Sequence, residues 1–238
     1  MMRILFKAVL ALGIFMTAAP AFAQEVIVTA NRRGGYLNSY ADGDTRPFVH
    51  LRRTADYVVQ TVRIVGDTRE EGKRREEVYA MVRNAVELAG KHGVELSTGN
   101  YIIEPVTLAN YTNLPLAGDG RADTSVATFL VKVKLEPGMD SKAALGRISK
   151  FIAAVPAVGR AEMKAMGELT LSVVNPDQYR GQIIDLLAAD AKGSAAKFGE
   201  DYGVQISGLD KPVEWARGSL TEVFLYLPVE YVIRPKGN

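Results

Sequence analysis

The side chains able to do chemistry in this chain are few, and their spacing brings none of them together. The sequence holds only two histidines, His50 and His92. His50 falls in an irregular N-terminal stretch and His92 at the end of an expected helix, so neither has a neighbouring nucleophile or second metal ligand. With no cysteine at all, disulfides, thiolate nucleophiles, zinc ribbons and cysteine-ligated clusters are excluded. Asp42-Gly43-Asp44 and Asp119-Gly120-Arg121-Ala122-Asp123 each place two acids near a glycine. A calcium loop needs more oxygen ligands and a closing bidentate acid, so both read as turns. G-x-S-x-G, H-E-x-x-H and the phosphate loop are absent. Gly118 and Gly120 lack the third glycine and the strand-turn-helix setting of a dinucleotide site. A hydrolase built on an acid pair would need two carboxylates facing one pocket, about 5–10 Å apart for glycoside chemistry. The inventory predicts no catalytic residues, no cofactor and no metal: a protein that is not an enzyme.

The charged residues are balanced. Arg69, Lys73, Arg74 and Arg75 are matched by Glu70, Glu71, Glu76 and Glu77. Glu70/Arg74 and Glu71/Arg75 stand four apart, which predicts a solvated, ion-paired helix surface rather than an anion site. Arg32-Arg33 and Arg52-Arg53 are more open and suit acidic lipid headgroups or lipopolysaccharide. Trp215, the only tryptophan, reads as a loop residue lying over the core.

The elements that must position these groups follow from periodicity. Tyr57 to Val65 is rich in β-branched residues and predicts a strand. Asp67, three residues before Glu70, resembles a capping box. The helix after it runs to about Leu88–Lys91, with Val78, Met81, Val82, Ala85, Val86 and Ala89 on one buried face. Lys91 and His92 suit its C-terminal dipole, and Gly93 its left-handed cap. Val94 to Leu108 predicts a strand weakened at Gly99 and interrupted at Pro105, followed by a loop over Thr112 to Asp123. In Thr128 to Leu135, Phe129, Val131, Val133 and Leu135 alternate with Thr128, Lys132 and Lys134, one face buried and one wet. After a turn at Pro137-Gly138, Asp140 caps a helix with Ala144, Leu145, Ile148, Phe151, Ile152 and Val155 inside.

Leu169, Leu171 and Val173 alternate with Thr170 and Ser172, another half-buried strand. Asn175-Pro176 predicts a helix start, cap then first turn. That helix continues through Ile183, Leu186, Leu187 and Ala191 towards Phe198 and closes at Gly203. A short strand at Val204–Ile206 and a last one, Leu220 to Ile233, broken by Pro228, complete the order. Helices and single strands do not alternate, so the expected class is α+β, a largely antiparallel sheet with long helices on one face.

A length of 238 residues with 24% charged and 47% hydrophobic residues belongs to an ordinary globular protein, able to bury roughly 70% of its unfolded surface. Residues 1–23 read as an export signal: Arg3 and Lys7, the apolar run Ala8 to Ala19, Pro20, then Ala21-Phe22-Ala23 with cleavage before Gln24. Its loss leaves 27 of the 29 Lys+Arg against 27 Asp+Glu. A neutral chain gives no support to nucleic-acid binding. Residues 24–54 read as a flexible arm with a strand near Val26–Val28, and 55–238 as the folded domain. The expected location is the periplasm, with peripheral outer-membrane contact.

From Tyr57 onward the chain resembles the SIMPL (DUF541) family of periplasmic and outer-membrane-associated bacterial proteins. The resemblance lies in the export signal, the strand Tyr57–Val65, the long charged helix Asp67–His92 and the alternating strand at Thr128–Leu135. Its most specific part is Leu169-Thr170-Leu171-Ser172-Val173-Val174-Asn175-Pro176, a strand running into an Asn-Pro helix start. The Ala/Lys-rich helix Ala188–Phe198, the Tyr202-Gly203-Val204 exit and a long terminal strand follow. The resemblance implies an α+β fold, frequent oligomerisation and an association with envelope or oxidative stress. The family has no established catalytic residues, so none is carried over. The insertion at Asn110–Asp123 and the arm at 24–54 depart from its pattern.

Glu25-Val26-Ile27-Val28-Thr29-Ala30 looks like the TonB box of TonB-dependent outer-membrane receptors, an extended segment that adds a strand to its partner's sheet. The chain is too short for a plug and a large transmembrane barrel. The expectation is therefore a non-enzymatic envelope protein working through surfaces. Its partners would be copies of itself, another envelope protein, or TonB reached through residues 25–30.

Overall fold

The computed structural model describes residues 25–28, 47–99, 103–136 and 139–237. The export signal with its cleavage point, residues 29–46, Asn100 to Ile102 and the Pro137-Gly138 turn lie outside the described residues. Among the described residues the class is α+β: antiparallel sheets, three α-helices and no closed barrel.

The chain enters through β1 (Glu25–Val28) and β2 (Leu51–Thr54), then β3 (Tyr57–Gly66) and α1 (Glu71–Ala89). Short strands β4 (Glu95–Thr98), β5 (Glu104–Pro105) and β6 (Leu116–Ala117) lead to β7 (Ser125–Lys134), α2 (Ser141–Ala154) and β8 (Glu162–Val174). Helix α3 (Arg180–Ala196), β9 (Tyr202–Ser207), β10 (Glu214–Arg217), β11 (Glu222–Tyr226) and β12 (Glu230–Pro235) complete it. One seven-stranded sheet has the order β1-β8-β3-β7-β4-β5, with β6 beside β4 on the same flank of β7. A three-stranded sheet is ordered β10-β11-β2, and β12 pairs with β9 alone. Where one sheet was expected, the described residues form three.

The long pair β3–β7 is in register from Tyr57↔Lys134 to Gly66↔Ser125. Because side chains alternate along a strand, Val58, Val62 and Ile64 face the same side as Phe129, Val131 and Val133. Helices α1 and α2 cover that side. Val78, Met81, Val82 and Ala85 of α1, with Ala144, Ile148 and Phe151 of α2, fill the core there. Val86 and Ile152 are half-buried, and Leu145, expected inside, is 42% exposed. Helix α3 packs instead against β9, β11 and β2, burying Ile183, Leu187, Ala191 and Ala195. Leu186 and Phe198 stay exposed.

Several local expectations are corrected. Val94 to Leu108 is not one strand: β4 and β5 pair with each other, Thr98 opposite Glu104, with Gly99 at φ +117 beginning the reversal. The Leu220 to Ile233 strand is two strands in two sheets. Trp215 lies in β10 opposite Leu225, not in a loop. Asn175 occupies the left-handed region (φ 46) without capping; Pro176–Tyr179 forms a 3-10 turn before α3 begins. Asp177 organises this entry by accepting from Arg180 (2.9 Å) and the Val213 backbone N–H (3.3 Å). By contrast, Asp140 caps α2 as expected, accepting from the Ala143 N–H at 2.7 Å. Gly93 provides the left-handed stop after α1 at φ +62.

The entry to α1 differs from a capping box. Glu70 makes no side-chain cap, and Asp67 reaches Arg160 through two bonds of 2.7 and 2.9 Å. Arg74, expected on the wet face, is buried: it donates to the Ser125 hydroxyl and to the Thr68 and Arg69 carbonyls. Glu77 is drawn in too, accepting from the Thr68 hydroxyl (2.5 Å) and the Arg160 backbone N–H (3.2 Å). These bonds hold its carboxyl below the usual range. Its carboxylate fits under the turn at Gly159, whose φ is +56 and where an added Cβ would stand 2.2 Å from the Glu77 carboxyl. Gly159→Ala should therefore destabilise the fold by roughly 1–3 kcal/mol, read as a lower midpoint in urea. The same change in a Glu77→Ala background should cost less, since only the backbone strain remains; equal costs in both would refute the contact.

Candidate functional site

The clearest concentration of polar side chains lies on the face of the large sheet turned away from α1 and α2. Expected to be wet, that face is dry at its middle. Val59 and Ser172 are 0% exposed and Lys132 is 4% exposed. Lys132 stands on β7 opposite Val59 of β3 on one side and Glu95 of β4 on the other. Its side chain stands off this face and is closed off from water. A buried cation of this kind is tolerable only when it is paired and hydrogen-bonded.

The partner comes from the far N-terminus. β1 pairs antiparallel with β8 in the register Glu25↔Val174, Val26↔Val173, Ile27↔Ser172 and Val28↔Leu171. This adds a strand to the free edge of β8. From there the Glu25 carboxylate reaches across the sheet to the Lys132 ammonium through one oxygen and accepts the Ser172 hydroxyl through the other. The Tyr57 ring lies over the ammonium at 4.0 Å, a cation–π contact that completes its surroundings. Tyr57 in turn donates to Glu95 at 3.4 Å. Burial, then the negative charges of Glu95 and Glu25, push the Tyr57 phenol up to about 12.

Of the residues singled out in the sequence, Glu25, Val26, Ile27 and Val28 thus form β1, while Thr29 and Ala30 lie outside the described residues. Lys132, Ser172 and Tyr57 were not anticipated. A lysine within a ten-residue strand was the available signal, but only its distant partner Glu25 and the Tyr57 ring mark it as a buried charge.

The other candidates are dispersed. His50 sits with Nδ1 2.6 Å from the Pro47 carbonyl and its ring against Phe224; His92 packs edge-on to Phe151. Arg52 is exposed, as expected, but forks onto Glu222 (3.0 and 2.7 Å), while Arg53 is half-buried, pairs with Asp56 and lies over Tyr179. Asp42-Gly43-Asp44 and Arg32-Arg33 lie outside the described residues. Asp119 organises its own turn, accepting from the Arg121 N–H and the Thr124 hydroxyl.

One open cleft of about 540 Å³, at the Gly66 end of β3, does gather carboxylates. Each of them is already held by a cation: Asp67 by Arg160, Asp119 by Arg121, Glu162 by Lys164. Guanidinium bonds keep both aspartates below the usual range. That is the reverse of what a general acid requires. Among the described residues, no three His, Asp or Glu converge as a metal site, and no helix is long and apolar enough to cross a membrane.

Tyr226 repeats the Tyr57 pattern: burial and Glu214, which accepts its hydroxyl at 3.1 Å, push it up to about 12. A phenol raised in the folded state stabilises the fold fully below its ordinary value of 10.0, and this contribution is lost as pH rises towards about 12. Followed by tyrosinate absorbance, a late-ionising fraction of the ten tyrosines should appear near the upper value and disappear in a Tyr57→Phe/Tyr226→Phe chain. Uniform ionisation near 10.0 would contradict this arrangement. No family model, no curated protein and no solved structure matches this chain.

Proposed function

We propose that this is an exported, non-enzymatic envelope protein of the SIMPL type that acts through contacts between proteins, with residues 25–30 as its contact element. The observation that carries this reading is the seating of β1. Glu25–Val28 pairs through its main chain with a sheet edge and carries the carboxylate that a buried lysine needs. A segment able to do this is built for strand addition, where the backbone supplies affinity and a side chain supplies register. The antiparallel sheet with α1 and α2 on one face agrees with the SIMPL resemblance. The Arg3/Lys7 leader and Ala21-Phe22-Ala23 site support export to the periplasm. Light scattering on the chain starting at Gln24 should show mass rising above that of one chain as concentration goes from micromolar to millimolar. A constant single-chain mass across that range would overturn self-association.

A second reading is docking to TonB. It is favoured by the same segment: Glu25–Val28 is strand-forming in this very chain. While β1 is paired to β8, the segment is occupied, so docking would first require its release. Val26→Pro removes a backbone donor from the segment and should abolish binding to a TonB C-terminal domain. Absence of binding by the unaltered chain would eliminate this reading.

A further inference from the structure

We infer that the edge of β8 is a strand-acceptor slot that a second copy of this chain can fill, seating its own Glu25–Val28 in place of the resident β1. The inference rests on the reading of residues 25–28 as a contact element and names the partner and the recognition device. Two independent features define the slot. One is the four-residue antiparallel register from Val174 to Leu171. The other is a charge address: the Lys132 ammonium and the Ser172 hydroxyl, both buried, converge on a single carboxylate. An extended segment with an acid in the Glu25 position satisfies both, and every copy of the chain carries one. An empty slot leaves a cation on a central strand without its counterion, so occupants are exchanged rather than simply lost.

Chain length permits the exchange. Eighteen residues, 29–46, connect Val28 to Pro47. At most about 3.3–3.6 Å per residue gives a reach near 60 Å, whereas a domain of this size is roughly 40 Å across. The same covalent connection favours the resident strand, because its seating is intramolecular and needs no encounter between two chains. Exchange is therefore expected to be minor in dilute wild-type protein and to dominate once the resident strand is disqualified.

Charge reversal provides that condition. In a Glu25→Lys chain two cations would meet in the slot, and in a Lys132→Glu chain two carboxylates would. Neither can complete itself, yet each carries the strand the other's slot requires. Alone, each full-length variant should be a single chain in light scattering, with the β1 backbone amides unprotected in hydrogen exchange. Mixed in equal amounts at micromolar concentration, they should double in mass and regain β1 protection. A mixture that remains a sum of single chains overturns the exchange. The Glu25→Lys/Lys132→Glu double variant separates the two levels of the reading. Restored protection in that single chain, with no dimer in the mixture, sinks only the exchange; failure to restore it sinks the slot and the contact-element reading together. Should Lys132→Glu fail to fold, the Glu25→Lys chain is titrated with a synthetic peptide of residues 24–30. Binding is expected, at least about tenfold weaker when the peptide's glutamate is replaced by glutamine. No binding, or equal binding by both peptides, overturns the proposal.

Discussion

Lys132 is buried on the face of the large sheet away from α1 and α2, with a carboxylate and an aromatic ring against its ammonium, and much of this molecule is arranged around that pairing. Lys132 lies between β3 and β4, and a buried ammonium there needs a carboxylate. That requirement seats Glu25, and with it a strand whose nearest downstream described residue is Pro47. Seating β1 finishes the exposed edge of β8 and buries Ser172. The partnership is unequal in one respect. The lysine belongs to a strand that cannot leave without unfolding the sheet, while the carboxylate belongs to a four-residue strand at the sheet's margin. Removing one partner of a buried pair costs about 3–5 kcal/mol, because the other is left buried and uncompensated. The lysine's need for a counterion therefore holds β1 on the sheet.

The same economy governs the opposite face. Polar side chains are drawn inward where elements end, and each finds backbone groups left over by a strand or helix terminus. Asp56 accepts from the Val174 N–H at 2.7 Å where β8 leaves the sheet, and holds Arg53 with its other oxygen. Gln60 extends its amide to the Met166 and Gly167 carbonyls where β8 bulges away from β3. Arg74 and Glu77 do likewise around the start of α1. These groups determine where elements meet; the apolar residues between them supply the burial.

Much of this frame was legible from local pattern. The β3 and β7 strands, the buried face of α1 and the Asp140 cap of α2 each depend on spacing within one element, and periodicity reports that directly. What escaped depended on partners distant in the chain. Lys132 and Ser172 occupy positions that alternate as wet residues do, yet both are dry and both bond to Glu25, more than a hundred residues earlier. Arg74 sits in a run of alternating charges that reads as solvated, yet Ser125 and the turn before α1 draw it in. Gly99 read as a weak point in a strand and proved to be the start of a reversal, since a glycine inside a β-rich run signals either. The extended segment at 25–28 was legible as a strand; that its acid would answer a lysine three strands away was not.

Pro228 ends one sheet and begins another. Only residues 227–229 separate β11 from β12, Leu227 is buried, and the Pro228 carbonyl is held by the Lys211 ammonium at 3.1 Å. The crossing has no slack, so the β9–β12 ribbon and the β10-β11-β2 sheet stay at a fixed spacing. Where this chain drifts in length over evolution, insertions and deletions will gather in the exposed turn at 118–123, and the three residues at the crossing will keep their number.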